Sequence, residues 1–421
     1  MSTSPFNRRD FIKTTAAAAA GATVPYWITS RSARAASKND RPLLGAIGVG
    51  GQGTGIAKNA KRFGDFVAVC DVDRNHAERG NKELGSKAEI FGDYRKLLER
   101  NDIEAVTIGV PDHWHTAVAL AAVRAGKDVY CEKPLTLTID EGKLLVKAVA
   151  DSGRVFQVGT QQRSEHRFRT ACELVRNGRV GKLQKVTVSL PNSPAGGPFA
   201  AKPVPSELNW DFWQGQAPVA EYCPERCHYM FRWWYEYSGG IMTDWGAHHM
   251  DIAHWGMGAE QTGPLTIESQ VKLPTIANGY NTPNKFVVDM TYANDVHLQI
   301  VIGDEGVMFE GDQGRLYVNR GRITGKPVEQ LKDNPLPADA VRLYKSDDHM
   351  GNFFHCIKTR IKPISDVESQ HRSVSACHLA NISMRLGRKL QWDPQKEQFV
   401  GDSEASGMLS RPQRAPYTIV A

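Results

Sequence analysis

Apolar residues gather into short blocks at 43–47, 66–70, 105–108, 128–131 and 155–158, and the stretches between them repeat apolar positions at helical spacing. Blocks this short, bounded by Gly, Pro or Asp, have the length of buried strands. Their alternation with helices over 54–62, 116–125 and 139–151, the last two stopped by Gly126 and Gly153, predicts a doubly wound parallel sheet. After Gly159 the pattern changes. One helix, 165–176, ends at Asn177-Gly178, and the runs at 184–190, 265–273, 286–292, 296–302 and 307–309 alternate or are β-branched, as in strands with one buried face. The fold class expected is therefore α/β: a parallel N-terminal domain over 37–158, then a C-terminal α+β domain over 159–421 with a mostly antiparallel open sheet. Two late helical stretches, 352–360 and 369–386, are expected to pack back on the first domain, and the tail beyond Trp392-Asp393-Pro394 to run as an extended wrap.

Residues 1–36 stand apart. Asn7-Arg8-Arg9-Asp10-Phe11-Ile12-Lys13, an alanine-rich stretch and Ser32-Ala33-Arg34-Ala35-Ala36 read as a twin-arginine signal with a small-residue cleavage site. Such a signal predicts a partner, the twin-arginine export machinery, and delivery of a folded protein, most simply to a bacterial periplasm. Its apolar stretch is interrupted by Pro25, and no later run reaches the roughly 18 apolar residues a membrane span needs, so no stable membrane anchor is expected. The signal also carries most of the charge. Of the net +6, five cations against Asp10 lie in residues 1–36, leaving about +2 for the remainder and no basic stripe for nucleic acid. The 7 cysteines are too sparse for a disulfide scaffold. Cys223-Pro-Glu-Arg-Cys227-His228 lacks a fourth ligand, so no metal is expected and these are read as loop cysteines.

Gly48-Val49-Gly50-Gly51-Gln52-Gly53 closes the first strand, and Asp71 ends the second. Gly48 permits a tight strand-to-helix turn, Gly50, Gly51 and Gln52 bring backbone N–H groups to a pyrophosphate, Gly53 lets the helix pack on the sheet, and Asp71 accepts from ribose hydroxyls. This is a Rossmann dinucleotide fingerprint. Asp71 favours NAD, because a carboxylate repels the extra phosphate of NADP; Arg74 is the one neighbouring feature that suits NADP.

Two further motifs carry chemistry. The strand at 128–131 delivers Glu132-Lys133-Pro134 to its carboxyl end, where ligands of open α/β sheets bind, although the same tripeptide also suits a surface lysine before a turn. Asp244 and His248 fall four apart in Gly239-Gly240-Ile241-Met242-Thr243-Asp244-Trp245-Gly246-Ala247-His248-His249, with Asp251 and Trp255 continuing their face. A carboxylate bonded to one imidazole nitrogen fixes the tautomer and makes the other a base, and the same pair also occurs as buried polar structure. Arg163, Trp245 and His249 are candidate substrate contacts, and Asp112 or Thr116 can cap the helix after the fourth strand. Twelve aromatic residues between 210 and 255 suit a sugar pocket, most of them being expected in the core.

The glycine turn, Glu132-Lys133-Pro134 and Asp244-x-x-x-His248, in this order, resemble the Gfo/Idh/MocA family, named for glucose-fructose oxidoreductase, inositol dehydrogenase and a rhizopine-catabolism protein; the likeness covers essentially the whole chain after the signal. It implies that Lys133 hydrogen-bonds the reacting hydroxyl, His248 is the general acid/base, Asp244 orients it, and hydride passes between a sugar carbon and a nicotinamide. It also implies cofactor contacts from the turn Val110-Pro111-Asp112-His113-Trp114-His115 (Pro111, His113, His115), a cis peptide before Pro134, and homodimers or homotetramers. The function expected is an exported NAD-dependent sugar or polyol oxidoreductase. The alternatives are a glycoside hydrolase working by transient oxidation, elimination and re-reduction, and a catalytically idle sugar-binding protein.

Overall fold

The computed structural model describes residues 41–293 and 295–420. The twin-arginine signal expected in residues 1–36 lies outside the described residues.

Six strands form the first sheet: β1 (Leu43–Ile47), β2 (Asp65–Cys70), β3 (Glu89–Phe91), β4 (Ala105–Ile108), β5 (Asp128–Cys131) and β6 (Phe156–Val158). They are all parallel, in the order β3-β2-β1-β4-β5-β6, so the direction of winding reverses between β1 and β4. Register sets up the site: Ile47 lies level with Cys70 and Ile108, and Cys131 level with Ile108 and Val158. The carboxyl ends of the central strands therefore bring Gly48, Asp71, Gly109 and Glu132 to one rim.

The second sheet holds β7 (Leu183–Leu190), β8 (Thr266–Val271), β9 (Phe286–Thr291), β10 (His297–Ile302), β11 (Gly306–Gly311), β12 (Gly314–Val318), β13 (Ile323–Thr324), β14 (Leu390–Asp393) and β15 (Gln398–Phe399). Its order is β13-β12-β11-β7-β10-β9-β8-β14-β15, and β7 with β10 is the one parallel pair. Burial alternates along β7, β9 and β10, so one face is covered. Helices His166–Arg176, Gly246–Met257 and Val367–Leu386 join that face in one core with Val186, Val188, Leu298 and Ile300.

The two sheets are tied by late chain. Helix His349–Thr359 sends Met350, Phe353 and Phe354 into the core under β1 and β2, with Leu44, Ala46 and Phe66. Farther on, Tyr417 stacks on Phe212 with centroids 5.5 Å apart and donates to Asp211 at 2.7 Å, while Arg414 pairs with Asp211 at 2.6 Å. All seven cysteines are buried and unpaired, Cys223 and Cys227 included.

Several boundaries differ from the sequence pattern for physical reasons. Helix Asp112–Arg124 begins four residues early with Pro111 as its N-cap, so neither Asp112 nor Thr116 caps it: Ser238 Oγ donates to Asp112, and Thr116 donates to Glu141. Strands β3, β13 and β15 escape the pattern because two or three residues pairing at an edge leave no period to read.

Candidate active site

Between the sheets lies a cleft of about 500 Å³. One end is the glycine turn. Gly48 sits at φ +76, and a Cβ there would meet the Gly109 carbonyl carbon at 2.7 Å. A Cβ on Gly53 would come within 1.9 Å of Gly48 O, so only glycine lets helix Gly51–Ala60 start so close to β1. Gly51, in contrast, faces open space, and no side chain caps the helix at Gly50. An uncapped helix N-terminus opening on a cleft fits a pyrophosphate. Asp71 reaches the same end, accepting from Val49 N at 2.9 Å and Asp73 N at 3.0 Å; burial pushes its carboxyl up to about 6. Arg74 is exposed and does not line the cleft. Gln52 donates to the buried Glu132 at 3.1 Å, linking the glycine turn to the end of β5.

At the other end stand Lys133, Asp244 and His248. A cis peptide precedes Pro134. Lys133 Nζ donates to Asp244 Oδ1 at 2.5 Å and to the Asp244 carbonyl at 3.1 Å, and Arg232 Nε reaches the same Oδ1 at 3.2 Å. Burial alone would raise the Asp244 carboxyl, but the Lys133 and Arg232 cations outweigh it and hold it below its ordinary value.

The expected Asp244–His248 bond is replaced by this Lys133–Asp244 pair. Helical spacing presumes an unbroken helix, whereas Ile241–Asp244 and Gly246–Met257 meet at Trp245. Lys133 takes the carbonyl of Asp244 that a continuous helix would offer to His248 N, and His248 N bonds Trp245 O at 3.1 Å. His248 lines the cleft with its Nδ1 unpartnered. Burial, then the Lys133 and Arg320 cations, push its imidazole well below the ordinary 6.5.

Three other expected contacts are turned away from the cleft. Arg163 is 4 % exposed and forks onto Asp251 at 2.7 and 2.8 Å, a pairing of two unlike charges that desolvation demands. His249 is fully buried between Gln162 at 3.2 Å and Glu305 at 2.9 Å. His113 points its Nε2 at Trp213 O, 2.9 Å away, among the aromatic rings of the second domain. His115 does line the cleft, but both ring nitrogens face backbone carbonyls, Pro134 O at 2.6 Å and Val110 O at 2.9 Å, so it ties two turns together. Pro111 and Trp245 line the cleft.

Four further groups line the cleft, none of them expected as a site residue: Asp112 was expected as a helix cap, His228 beside the loop cysteines, and Arg320 and His76 not at all. Asp112, bonded to Ser238, has its carboxyl raised to about 7 by burial. Arg320, in the turn between β12 and β13, lies 4.3 Å over the Trp245 ring. His76 and His228 lie with ring centroids 4.4 Å apart, and His228 Nε2 is 3.2 Å from Asp73. His228 drew notice only as a neighbour of Cys227, whereas its actual partners are more than a hundred residues away in sequence.

The chain from 43 to 160 matches a family model described as an oxidoreductase family, NAD-binding Rossmann fold, and residues 196–419 match the same family's C-terminal alpha/beta domain. The chain belongs to the Gfo/Idh/MocA oxidoreductase family. It is an NAD-binding oxidoreductase, and residues 5–25 match the twin-arginine translocation signal. Among Gfo/Idh/MocA relatives, it is 25% identical over 289 residues to a myo-inositol 2-dehydrogenase of Thermotoga maritima, covering 67% of this chain and 76% of that one. A WlbA dehydrogenase from Bordetella pertussis, solved with NADH and UDP-GlcNAcA, superposes with TM-score 0.63 at 17% identity, over 84% of this chain and 99% of that one. A levoglucosan dehydrogenase solved with NADH and levoglucosan gives TM-score 0.62 at 16% identity, over 84% and 99%.

Proposed function

We propose that the protein is an exported oxidoreductase that moves a hydride between a hydroxyl-bearing carbon of a sugar or polyol and a tightly held NAD. The convergence of Lys133, Asp244 and His248 on the cleft that begins at the glycine turn carries this reading. Bound NAD supplies the hydride acceptor; Gly48, Gly50, Gly51, Gln52, Gly53 and Asp71 would hold its phosphates and ribose.

Oxidising a carbinol to a carbonyl releases a hydride and a proton. The Lys133 ammonium, fixed by Asp244, hydrogen-bonds the substrate oxygen and offsets its developing negative charge. His248, held neutral at physiological pH, takes the hydroxyl proton and returns it in the reverse direction. Trp245 presents an apolar face to the C–H face of the ring. The names of the relatives, acting on inositol and levoglucosan, suit a polyol or cyclic sugar. Twin-arginine substrates cross folded, so the cofactor travels in place to the periplasm and is recycled there by a second substrate.

Protein purified without added nucleotide should carry a dinucleotide visible by native mass spectrometry, and one member of a sugar and polyol panel should raise the reduced-nicotinamide absorbance. Absence of both at saturating NAD overturns the reading. Release of aglycone from aryl glycosides without added oxidant would replace net oxidoreduction by redox-assisted glycoside cleavage.

A further inference from the structure

Three cations, Lys133, Arg232 and Arg320, line the catalytic end of the cleft, and they are not held alike. Lys133 and Arg232 share one carboxylate, Asp244, at 2.5 and 3.2 Å. Arg320 has no carboxylate within ion-pair distance among the described residues. Its Nε and Nη2 both go to Gln162 Oε1, a neutral acceptor, each at 3.2 Å, and its guanidinium lies 4.3 Å over the Trp245 ring.

The other carboxyl groups lining the cleft have other partners. Asp71 accepts from backbone N–H groups at the glycine end, Glu132 accepts from Gln52, and Asp112 accepts from Ser238. Glu305, beyond Trp245, is held by His249 at 2.9 Å. The guanidinium is well placed rather than loose. Asn319 Oδ1 accepts from Gly321 N and Arg322 N to set the turn, and Arg167 donates to the Arg320 carbonyl at 2.6 Å. Its field reaches the chemistry, being among the causes that depress the His248 imidazole.

A cation in a partly desolvated cleft with only a neutral amide for company gains most from an oxyanion, which a guanidinium binds through charge-assisted bonds. We propose that the substrate is an anionic sugar or polyol, bearing a carboxylate or phosphate group, and that Arg320 is the residue that anchors that group. The indole of Trp245 fixes the plane of the guanidinium, and the buried Gln162, outside the cleft lining, holds Nε and Nη2, leaving Nη1, which makes no hydrogen bond among the described residues, for the oxyanion. Arg232 adds to the positive field while remaining paired with Asp244. The proposal rests on the oxidoreductase reading for the word substrate, but the binding it predicts does not require turnover.

The test titrates NAD-loaded protein with neutral aldoses and polyols, each beside its uronic or aldonic acid and its phosphate ester, following binding by calorimetry and, separately, nicotinamide reduction. At least one anionic member should bind about 10- to 100-fold more tightly than its neutral parent, the scale of hydrogen bonds to a charged group, with the advantage shrinking as salt rises. Carboxylate and phosphate arms identify the group preferred. Arg320→Gln should collapse the anionic-to-neutral ratio and Arg320→Lys retain part of it. Equal binding of every anion and its parent, undetectable binding of all, or an unchanged ratio in Arg320→Gln overturns the proposal. Anion-selective binding without nicotinamide reduction keeps it and counts against hydride transfer to these sugars; reduction by neutral sugars alone does the reverse.

Discussion

At the scale of single residues, the Lys133–Asp244 contact replaces the expected Asp244–His248 pair and changes what each group does. Lys133 is both the hydrogen-bond donor proposed for the substrate oxygen and one of the cations that depress the His248 imidazole. Lys133→Met should therefore lower kcat by about 10²- to 10⁴-fold, the range for a positioned proton-handling group. It should also move the acid limb of the pH–rate profile. Protonation of His248 stops oxidation as pH falls, and wild-type His248 titrates well below 6.5; removing the neighbouring cation raises that pKa, so activity is lost at higher pH in the variant. A limb that stays in place in residual-rate measurements contradicts the assignment of His248 as base. Lys133, His248 and the glycines were readable because each sits at a strand end or a fixed offset. The partner of Asp244 was not, because i to i+4 spacing presumes a helix that Lys133 itself interrupts at the Asp244 carbonyl. Arg163 and His249 were misplaced for a related reason: sequence shows a polar residue near a site, but not that Asp251 or Glu305 lies behind it.

At the scale of elements, the glycine turn is the part of the proposed cofactor site that packing controls most tightly. Gly53→Ala puts a Cβ 1.9 Å from Gly48 O, so the helix must shift away from β1. Overpacking of this kind costs about 1–3 kcal/mol, and the shift opens the cradle proposed for the pyrophosphate. The expected result is a folded protein with a lower Tm that loses its dinucleotide during purification, whereas Gly51→Ala, whose Cβ meets open space, should keep its Tm. Equal Tm values for the two variants would contradict the packing argument. The central strands of the first sheet were legible as apolar runs because both their faces are buried. The two- and three-residue edge strands β3, β13 and β15 were not, and Arg320 arrives on the turn that leads from β12 into β13, which is why the pattern gave no hint of it.

At the scale of the whole molecule, buried imidazoles set the response to acid. Burial holds His113 and His378 to about 3 and His254 and His349 to about 4. Their folded pKa values lie below the unfolded 6.5, so the unfolded chain binds more protons as pH falls, and stability present above 6.5 is lost toward pH 4 and below. Asp71 and Asp112, raised to about 6 and about 7, act in the opposite sense over the same window, because the folded state holds their protons. Glu132 and Glu141 are raised by burial as well, but His76, His115, His228, His248 and His249 are lowered by it, so nine imidazoles stand against four carboxyls and Tm at fixed ionic strength should fall below pH 6.5. A Tm that rises on acidification would show that the raised carboxyls dominate.

Every cysteine of the described chain is packed into an interior with its thiol pushed above the ordinary value by burial. Thiolate, the species that attacks an oxidant or a disulfide, is therefore scarce while the fold is intact. A maleimide added to native protein should label slowly, at the rate of global opening, and a denaturant series should bring all the sulfurs into reach together. For a chain carrying a twin-arginine signal, this makes its sulfur chemistry a matter of folding alone: once folded, it offers an oxidant no thiol to join.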